Sequence, residues 1–360
     1  MSTAPRPRVL VIDDSALVRE VLAGVLKREG HEVDVAADPI IAFEKMKKAR
    51  PDVILLDLEM PRMDGLTFLR RLMSTDPIPV VVCSALTGPG TEAALRALEE
   101  GAVEIVTKPR LGVQGFLEDS ATLLTEAVTG AAKARVRLRA PAPLPREASV
   151  TAKAAFPARF TPLTITTDSV VVVAASTGGT EALRVLLEEL PPDGPGVVVV
   201  QHMPEVFTAA FARRLNERCR IEVKEAENGD RVLEGRALVA PGNRHTRLRR
   251  NGMHYAVEVT DGPLVTRHRP SADVLFWSAA QAAGVNGVGV ILTGMGTDGA
   301  DGLVEMRLAG AHTIAQDEAT CVVFGMPGAA VARGAVQEVL PLPRIAAAIL
   351  RAAKAERAAR

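Results

Sequence analysis

With 360 residues the chain has room for about two domains, since a domain typically takes roughly 100–200 residues, and 48% hydrophobic residues supply enough apolar material for two cores, which excludes wholesale disorder. Lys+Arg 43 balance Asp+Glu 43, so no net field favours nucleic acid or an acidic membrane surface as partner. Three scattered cysteines, Cys83, Cys219 and Cys321, contain no CxxC pair, which argues against a disulfide framework and a thiolate zinc site and fits small buried hydrophobes in a reducing compartment.

Residues 1–8 are polar and proline-bearing and lack the apolar core of a signal peptide. No apolar run approaches the ~20 residues of a membrane span, so a cytoplasmic protein without membrane insertion is expected. Short Val/Ile-rich runs at 8–12, 32–36, 53–56, 78–83 and 103–106 predict strands. Amphipathic stretches at 16–28, 39–48, 65–73, 92–99 and 116–129 predict the intervening helices. Five such βα repeats imply a parallel sheet covered on both faces, with functional groups outside the carboxyl ends of the strands.

Those ends carry Asp13 and Asp14, then Asp57, then Ser84, then Lys108-Pro109. Clustered carboxylates suit a hard cation such as Mg²⁺, and a carboxylate can serve as nucleophile toward phosphorus. A cation and an ammonium neutralise charge on phosphoryl oxygens, and a hydroxyl can hydrogen-bond the added group.

The segments VIDDSALVRE, LLDLEMPRMDGLTFL, VVVCSALT and VTKP resemble the receiver domain of two-component response regulators, a flavodoxin-like (βα)5 fold, over about the first third of the chain. The resemblance implies Asp57 as phosphoacceptor. It also implies Mg²⁺ held by Asp14, Asp57 and the Glu59 backbone carbonyl, with Asp13 supporting. Ser84 would be the switch hydroxyl, Lys108 the phosphoryl contact, and Lys108-Pro109 a cis bond. Ile105 stands where many receivers carry Tyr or Phe, so aromatic-coupled switching is not implied.

From 129 to 168 the texture is basic and alanine-rich, then broken by Pro141, Pro143, Pro145, Pro157 and Pro162, as expected of a semi-stiff linker. The expected domains are therefore 1–128, then the linker 129–168, then a second α/β domain at 169–350. Its predicted strands lie at 170–175, 197–201 and 288–292, with helices at 181–189, 206–216 and 273–283. Turn pairs Asn228-Gly229, Asn251-Gly252 and Asp261-Gly262 predict hairpins within 221–265, and residues 345–360 an amphipathic helix.

Ser176 stands where an apolar strand passes through Gly178-Gly179 into a helix, whose free N–H groups and dipole can stabilise an oxyanion. His202 and Asp298 also follow apolar runs. A serine needs a base to take its proton, and the base an orienting carboxylate. The segments AASTGGTEAL, VVQHMP, APGNRH, DGPLVTRHRPSADVLF and GVILTGMGTDGADG resemble the catalytic domain of the chemotaxis protein-glutamate methylesterases, the CheB family. That resemblance covers residues 170 to about 340 and implies a doubly wound, mainly parallel hydrolase-type domain.

It further implies Ser176 as nucleophile, His202 as general base then acid, Asp298 as its orienting group and the Met295 N–H as oxyanion donor, with no cofactor for the esterase. The implied substrates are glutamate methyl esters, and particular glutamines, on cytoplasmic helices of methyl-accepting chemoreceptors. A chemotaxis-type histidine kinase would donate the phosphate, and a monomer is expected. Alternatives are a phosphorylation-gated scaffold and a serine hydrolase of another signalling pathway.

Gly294-Met-Gly296-Thr-Asp298-Gly299 also satisfies GxGxxG, with Asp317 at a tolerable distance for a ribose partner, but no first βαβ unit surrounds it. His245, His254 and His268 lack metal-ligand spacing and read as surface or hydrogen-bonding residues. The segment 267–271 reads either as part of a substrate groove or as a plain loop.

Overall fold

The computed structural model describes residues 6–84, 89–108, 114–136, 138 and 169–358. In the first half, strands β1 (Arg8–Ile12), β2 (Glu32–Ala36), β3 (Val53–Leu56), β4 (Val80–Ser84) and β5 (Glu104–Thr107) form a sheet in the order β2-β1-β3-β4-β5. Every neighbouring pair is parallel. Helices α1 (Ala16–Arg28), α2 (Pro39–Lys48), α3 (Gly65–Thr75), α4 (Pro89–Glu99) and α5 (Gln114–Ala131) cover it. β3 and β4 are buried along their whole length because helices cover both faces, whereas the edge strand β2 alternates with exposed positions.

Asp38 and Asp64 cap α2 and α3 by accepting backbone N–H groups, so these acids are spent on helix starts. The expected strand at 78–83 begins only at Val80, since Pro77 and Pro79 have no N–H to give the ladder. Pro79 still contributes its carbonyl, to Ile54 N at 2.9 Å. α5 continues to Ala131, past the expected start of the linker, and the Arg135 N–H donates to Val322 O at 3.0 Å. The Lys108-Pro109 bond and the proline-rich stretch 141–162 lie outside the described residues.

The second half has β6 (Val170–Ala175), β7 (Gly196–Gln201), β8 (Glu222–Glu225), β9 (Arg236–Val239), β10 (His245–Asn251), β11 (His254–Thr260), β12 (Gly287–Ile291), β13 (His312–Gln316) and β14 (Glu338–Leu340). Seven of these make a parallel sheet in the order β14-β13-β12-β6-β7-β9-β8. β10 and β11 pair separately as an antiparallel hairpin closed at Asn251-Gly252. The expectation of several hairpins is corrected here. β8 and β9 join the main sheet in parallel, and Asn228 instead braces β11, its Oδ1 accepting from Val259 N at 3.1 Å.

Helices α6 (Gly179–Glu188), α7 (Glu205–Arg218), α8 (Ala272–Ala283), α9 (Ala300–Leu308), α10 (Met326–Ala332) and α11 (Leu342–Ala358) sandwich this sheet. Alternate residues of β6 feed opposite cores: Val171, Val173 and Ala175 pack with Leu183, Phe207 and Ile345, while Val170, Val172 and Ala174 pack with Leu275 and Phe276. No helix among the described residues is long and apolar enough to cross a membrane.

Phe276 is fully buried where α8 meets α9, within 3.2 Å of where a side chain on Gly299 would begin. Phe276→Ala is expected to cost about 3–5 kcal/mol through the cavity it leaves. Urea unfolding followed by the fluorescence of Trp277, the single tryptophan, checks this, and a loss under about 1 kcal/mol would contradict the packing described.

Candidate functional site

Two groups of reactive side chains sit at carboxyl ends of strands, one per sheet. In the first, Asp13 and Asp14 follow β1, Asp57 follows β3, Ser84 ends β4 and Lys108 follows β5. Asp13, Asp14 and Asp57 each offer an oxygen within 4.8 Å of the others. Lys108 Nζ lies 2.8 Å from both Asp13 Oδ2 and Asp57 Oδ2, a charge contact spanning two buried carboxylates. The Ser15 N–H donates to Asp13 Oδ1 at 2.8 Å, fixing that carboxyl.

Burial pushes the Asp57 carboxyl up, against the opposing pull of Lys108. Three acids facing one ammonium are short of positive charge. An all-oxygen donor set of this kind fits a hard divalent cation such as Mg²⁺. Ser84 is buried at the strand end, and Ile105 is buried in the core.

In the second sheet Ser176, His202 and Asp298 follow β6, β7 and β12, the three central strands. The backbone ties them: Ser176 N donates to Thr293 O at 3.0 Å and His202 N to Ala175 O at 3.1 Å. The chain turns into α6 at Gly178, with φ +75, a conformation that suits glycine. Gly294 lets the loop after β12 come close, since a Cβ there would lie 2.8 Å from Ser176 Cβ.

Asp298 has no exposed surface and accepts four hydrogen bonds. Oδ2 takes His202 Nε2 at 2.8 Å and Ala272 N at 2.7 Å; Oδ1 takes Ser271 Oγ at 2.7 Å and Asp273 N at 3.2 Å. Burial alone would raise this carboxyl, but His202, Ser271 and Ala272 outweigh it and hold it far below the usual range. An ionised Asp298 can only accept, so His202 carries its proton on Nε2, leaving Nδ1 as a buried lone pair without a partner among the described residues. The adjacent Asp273 is pushed up to about 6 by burial and by Asp298, despite the Gly302 N–H it accepts at 2.7 Å.

Sequence reasoning missed four supporting groups. Ser271, read as part of a substrate groove or a plain loop, caps α8 while bonding Asp298; a serine just ahead of an apolar helical run was the available signal. Gln201 Nε2 donates to Ser176 O at 3.0 Å and His202 O at 3.1 Å, clamping the two loops together. Thr293 Oγ1 donates to Thr177 O at 3.0 Å. His268, read as a surface or hydrogen-bonding residue, is a half-buried hydrogen-bonding one whose ring also stacks on His202, with centroids 3.8 Å apart and planes at 11°. Its Nδ1 lies 2.7 Å from Thr266 O, and burial beside His202 pushes it down to about 3, which keeps it neutral.

The other candidates resolve into structure. His245 Nε2 binds Pro263 O at 2.8 Å, and the exposed His254 lies 3.4 Å from Arg231. Within the GxGxxG run, Gly299 starts α9 and Asp298 is committed to His202. Asp317 Oδ1 accepts from Thr320 N at 2.9 Å, closing its own turn.

The first half covers the second site. Thr177 Oγ1 donates to Glu104 Oε2 at 2.6 Å, and Gly178 N donates to Val103 O at 3.2 Å. Gly130 of α5 presses on the loop beyond Gly294: a Cβ there would lie 2.9 Å from Met295 Sδ and 3.4 Å from Thr177 Oγ1. Arg267, next to the stacked His268, pairs with Glu126 of α5 at 3.1 Å. The Met295 N–H makes no hydrogen bond among the described residues. Glu104, half-buried in this seam, is pushed up to about 7 by loss of solvent around its carboxyl.

Known proteins match both halves. Residues 171–349 match the CheB methylesterase family, and residues 9–113 match the response regulator receiver domain. A protein-glutamate methylesterase/protein-glutamine glutaminase of Anaeromyxobacter dehalogenans is 62% identical over 346 residues, covering 96% of this chain and 98% of its own. Another, from Geobacter metallireducens, is 57% identical over 353 residues, covering 96% and 98%. The solved CheB methylesterase catalytic domain of Thermotoga maritima is similar at 36% identity with a TM-score of 0.50, covering 51% of this chain and 97% of that one.

Lys108 supports two buried acids, and removing one partner of such a group leaves uncompensated charge. Lys108→Met is expected to lower stability in metal-free buffer by about 3 kcal/mol, the low end because Lys108 is partly exposed. Added Mg²⁺ should restore most of the loss in thermal melts; no effect of Mg²⁺ on the variant would argue against a cation at the three aspartates.

Proposed function

The chain belongs to the CheB methylesterase family and carries a receiver domain ahead of the methylesterase domain, and on that premise we propose that it hydrolyses glutamate methyl esters on chemoreceptor helices under phosphorylation control. By the same chemistry it deamidates particular glutamines, as the names of its relatives imply for them. The observation that carries this reading is the buried Asp298–His202 pair beside the α6 start that bears Ser176. A domain that merely bound its partner would have no use for a carboxylate held ionised by four donors.

In the proposed reaction, Ser176 Oγ turns about one bond toward the free nitrogen of His202, which takes its proton as the oxygen attacks the ester carbonyl. The developing oxyanion lies against the Met295 N–H and the start of α6. His202, now charged, is stabilised by Asp298 and returns its proton to the departing methoxide, giving methanol. Water activated by the same ring then cleaves the acyl-serine to glutamate and free enzyme. No hydrogen bond joins Ser176 to His202 among the described residues in the covered form, and such contacts commonly tighten only around substrate.

Control resides in the seam. We take Asp57 as the phosphoacceptor, supplied by a chemotaxis-type histidine kinase. Asp14, Asp57 and the Glu59 carbonyl would hold Mg²⁺, supported by Asp13. The cation supplies charge neutralisation at the phosphoryl oxygens. Lys108 pairs with the added phosphoryl group, and Ser84 hydrogen-bonds it. Lys108 follows directly on β5, the strand that carries Glu104 into Thr177, so a pull at its carboxyl end is felt at the cover. Residues 1–128 act as regulator, 129–168 connect and 169–350 catalyse.

Methanol release from methylated receptor membranes tests the activity: it should fall at least a thousandfold in Ser176→Ala and rise in wild type with phosphodonor and Mg²⁺. No release from wild type in either condition would defeat the reading. Gly130→Leu, which must displace the Met295 side chain, should raise basal release several-fold without phosphodonor.

A pH effect follows from Glu104, which faces Thr177 and feels His202, Glu126 and the Arg267 paired to Glu126. Its docked pKa of about 7 lies above the ordinary glutamate range, so docking is strongest at acid pH and weakens as pH rises toward 7. The ratio of basal to stimulated activity should therefore climb between about pH 5 and 7 and stay flat in Glu104→Gln. A slope unchanged in that variant would remove Glu104 from the control.

A further inference from the structure

The seam has a second contact away from Ser176, where α4 lies along α7. On α4, Glu92, Leu95 and Glu99 fall on one helical face with Leu98 beside them, acidic at both ends and apolar between. On α7 the facing side chains are Phe211, Arg214, Leu215 and Arg218, which line a common cleft with Leu95 and Leu98. Arg214 pairs with Glu92 at 3.2 Å and also with Glu99; Arg218 Nη2 reaches Glu99 Oε1 at 2.9 Å.

Neither arginine has another partner among the described residues. Arg184, also at the cleft, differs: it is neutralised within its own helix by Glu181 and Glu188. Arg214 keeps only 19% of its side chain exposed. When the receiver domain leaves, two arginines and the apolar Phe211 and Leu215 lose their cover together.

We propose that this face of α7 is the docking surface for the acidic, amphipathic receptor helix that carries the methyl ester, and that α4 occupies it as a stand-in for that helix. This rests on the function proposed above. Three features converge on one occupant. The surface is already matched by a helix, with acids spaced two turns apart and leucines between them. α7 starts three residues after His202, so the arginines project from the helix that grows out of the catalytic loop, roughly 14–20 Å along it. A receptor helix whose esters become carboxylates on hydrolysis supplies the same chemistry as Glu92 and Glu99. Receiver and substrate then compete for one surface, and opening the cover and creating the docking site are a single event.

The test exploits the two sides of one ion-pair set in the full-length protein. Glu92→Lys/Glu99→Lys and Arg214→Glu/Arg218→Glu both break the seam, so both should raise basal turnover of a small ester, an N-acetyl γ-methyl glutamyl amide, several-fold. That shared rise also reports a folded catalytic domain. On methylated receptor membranes the two should diverge. The α4 variant gains activity, whereas the α7 variant loses at least tenfold in kcat/KM through KM, even with phosphodonor. Arg214→Gln/Arg218→Gln should move in the α7 direction with smaller amplitude. If the α7 variants matched or exceeded the α4 variant on receptor, the docking surface would lie elsewhere and the proposal would fall. Wild type inactive on both substrates would overturn the functional reading beneath it.

Discussion

A carboxylate without exposed surface must be surrounded by donors or lose its charge, and Asp298 is the point where this constraint is met. Its four hydrogen bonds come from a strand-end loop and from the start of α8, so meeting the charge fixes two elements against each other. The tautomer of His202, the ring orientation and the place of the stacked His268 all depend on that one ion. Asp273 bears the strain of the arrangement: a second acid in the same pocket, it is pushed toward neutrality so that Asp298 can stay charged.

The two halves use one topological principle for different chemistry. Parallel strands end at the same edge, so acids, a hydroxyl and an ammonium scattered from Asp13 to Lys108 meet at the first sheet, and Ser176, His202 and Asp298 meet at the second. The halves then meet through β5 and α5, whose residues reach the second site from the side opposite its core. Glu104 opens β5 and Lys108 follows its last residue, so the contact to Thr177 and the contact to Asp57 lie at the two ends of one strand.

Much of this was legible in the sequence because its signals are local. Apolar runs located eight of the fourteen described strands to within a residue or two, missing β8, β9, β13 and β14, and residue type at the strand ends located both clusters. What was not legible depends on contacts far apart in the chain. His268 lies 66 residues from the ring it stacks on, and nothing in its neighbours announces that. The seam pairs Glu99 with Arg214 and Gly130 with Met295, contacts that spacing cannot reveal. The turn pairs misled because Asn-Gly fits several turn types, and only cross-strand partners decide which becomes a hairpin.

The contact between Glu104 and Thr177 joins two parts of one polypeptide, so the cover closes as a unimolecular event. A tethered group has an effective concentration on the order of millimolar when the connection can span the sites. The shut fraction is then independent of how much protein the cell makes. Anything that must reach the loop of Thr177 meets a rival that is tethered beside it and never diffuses away.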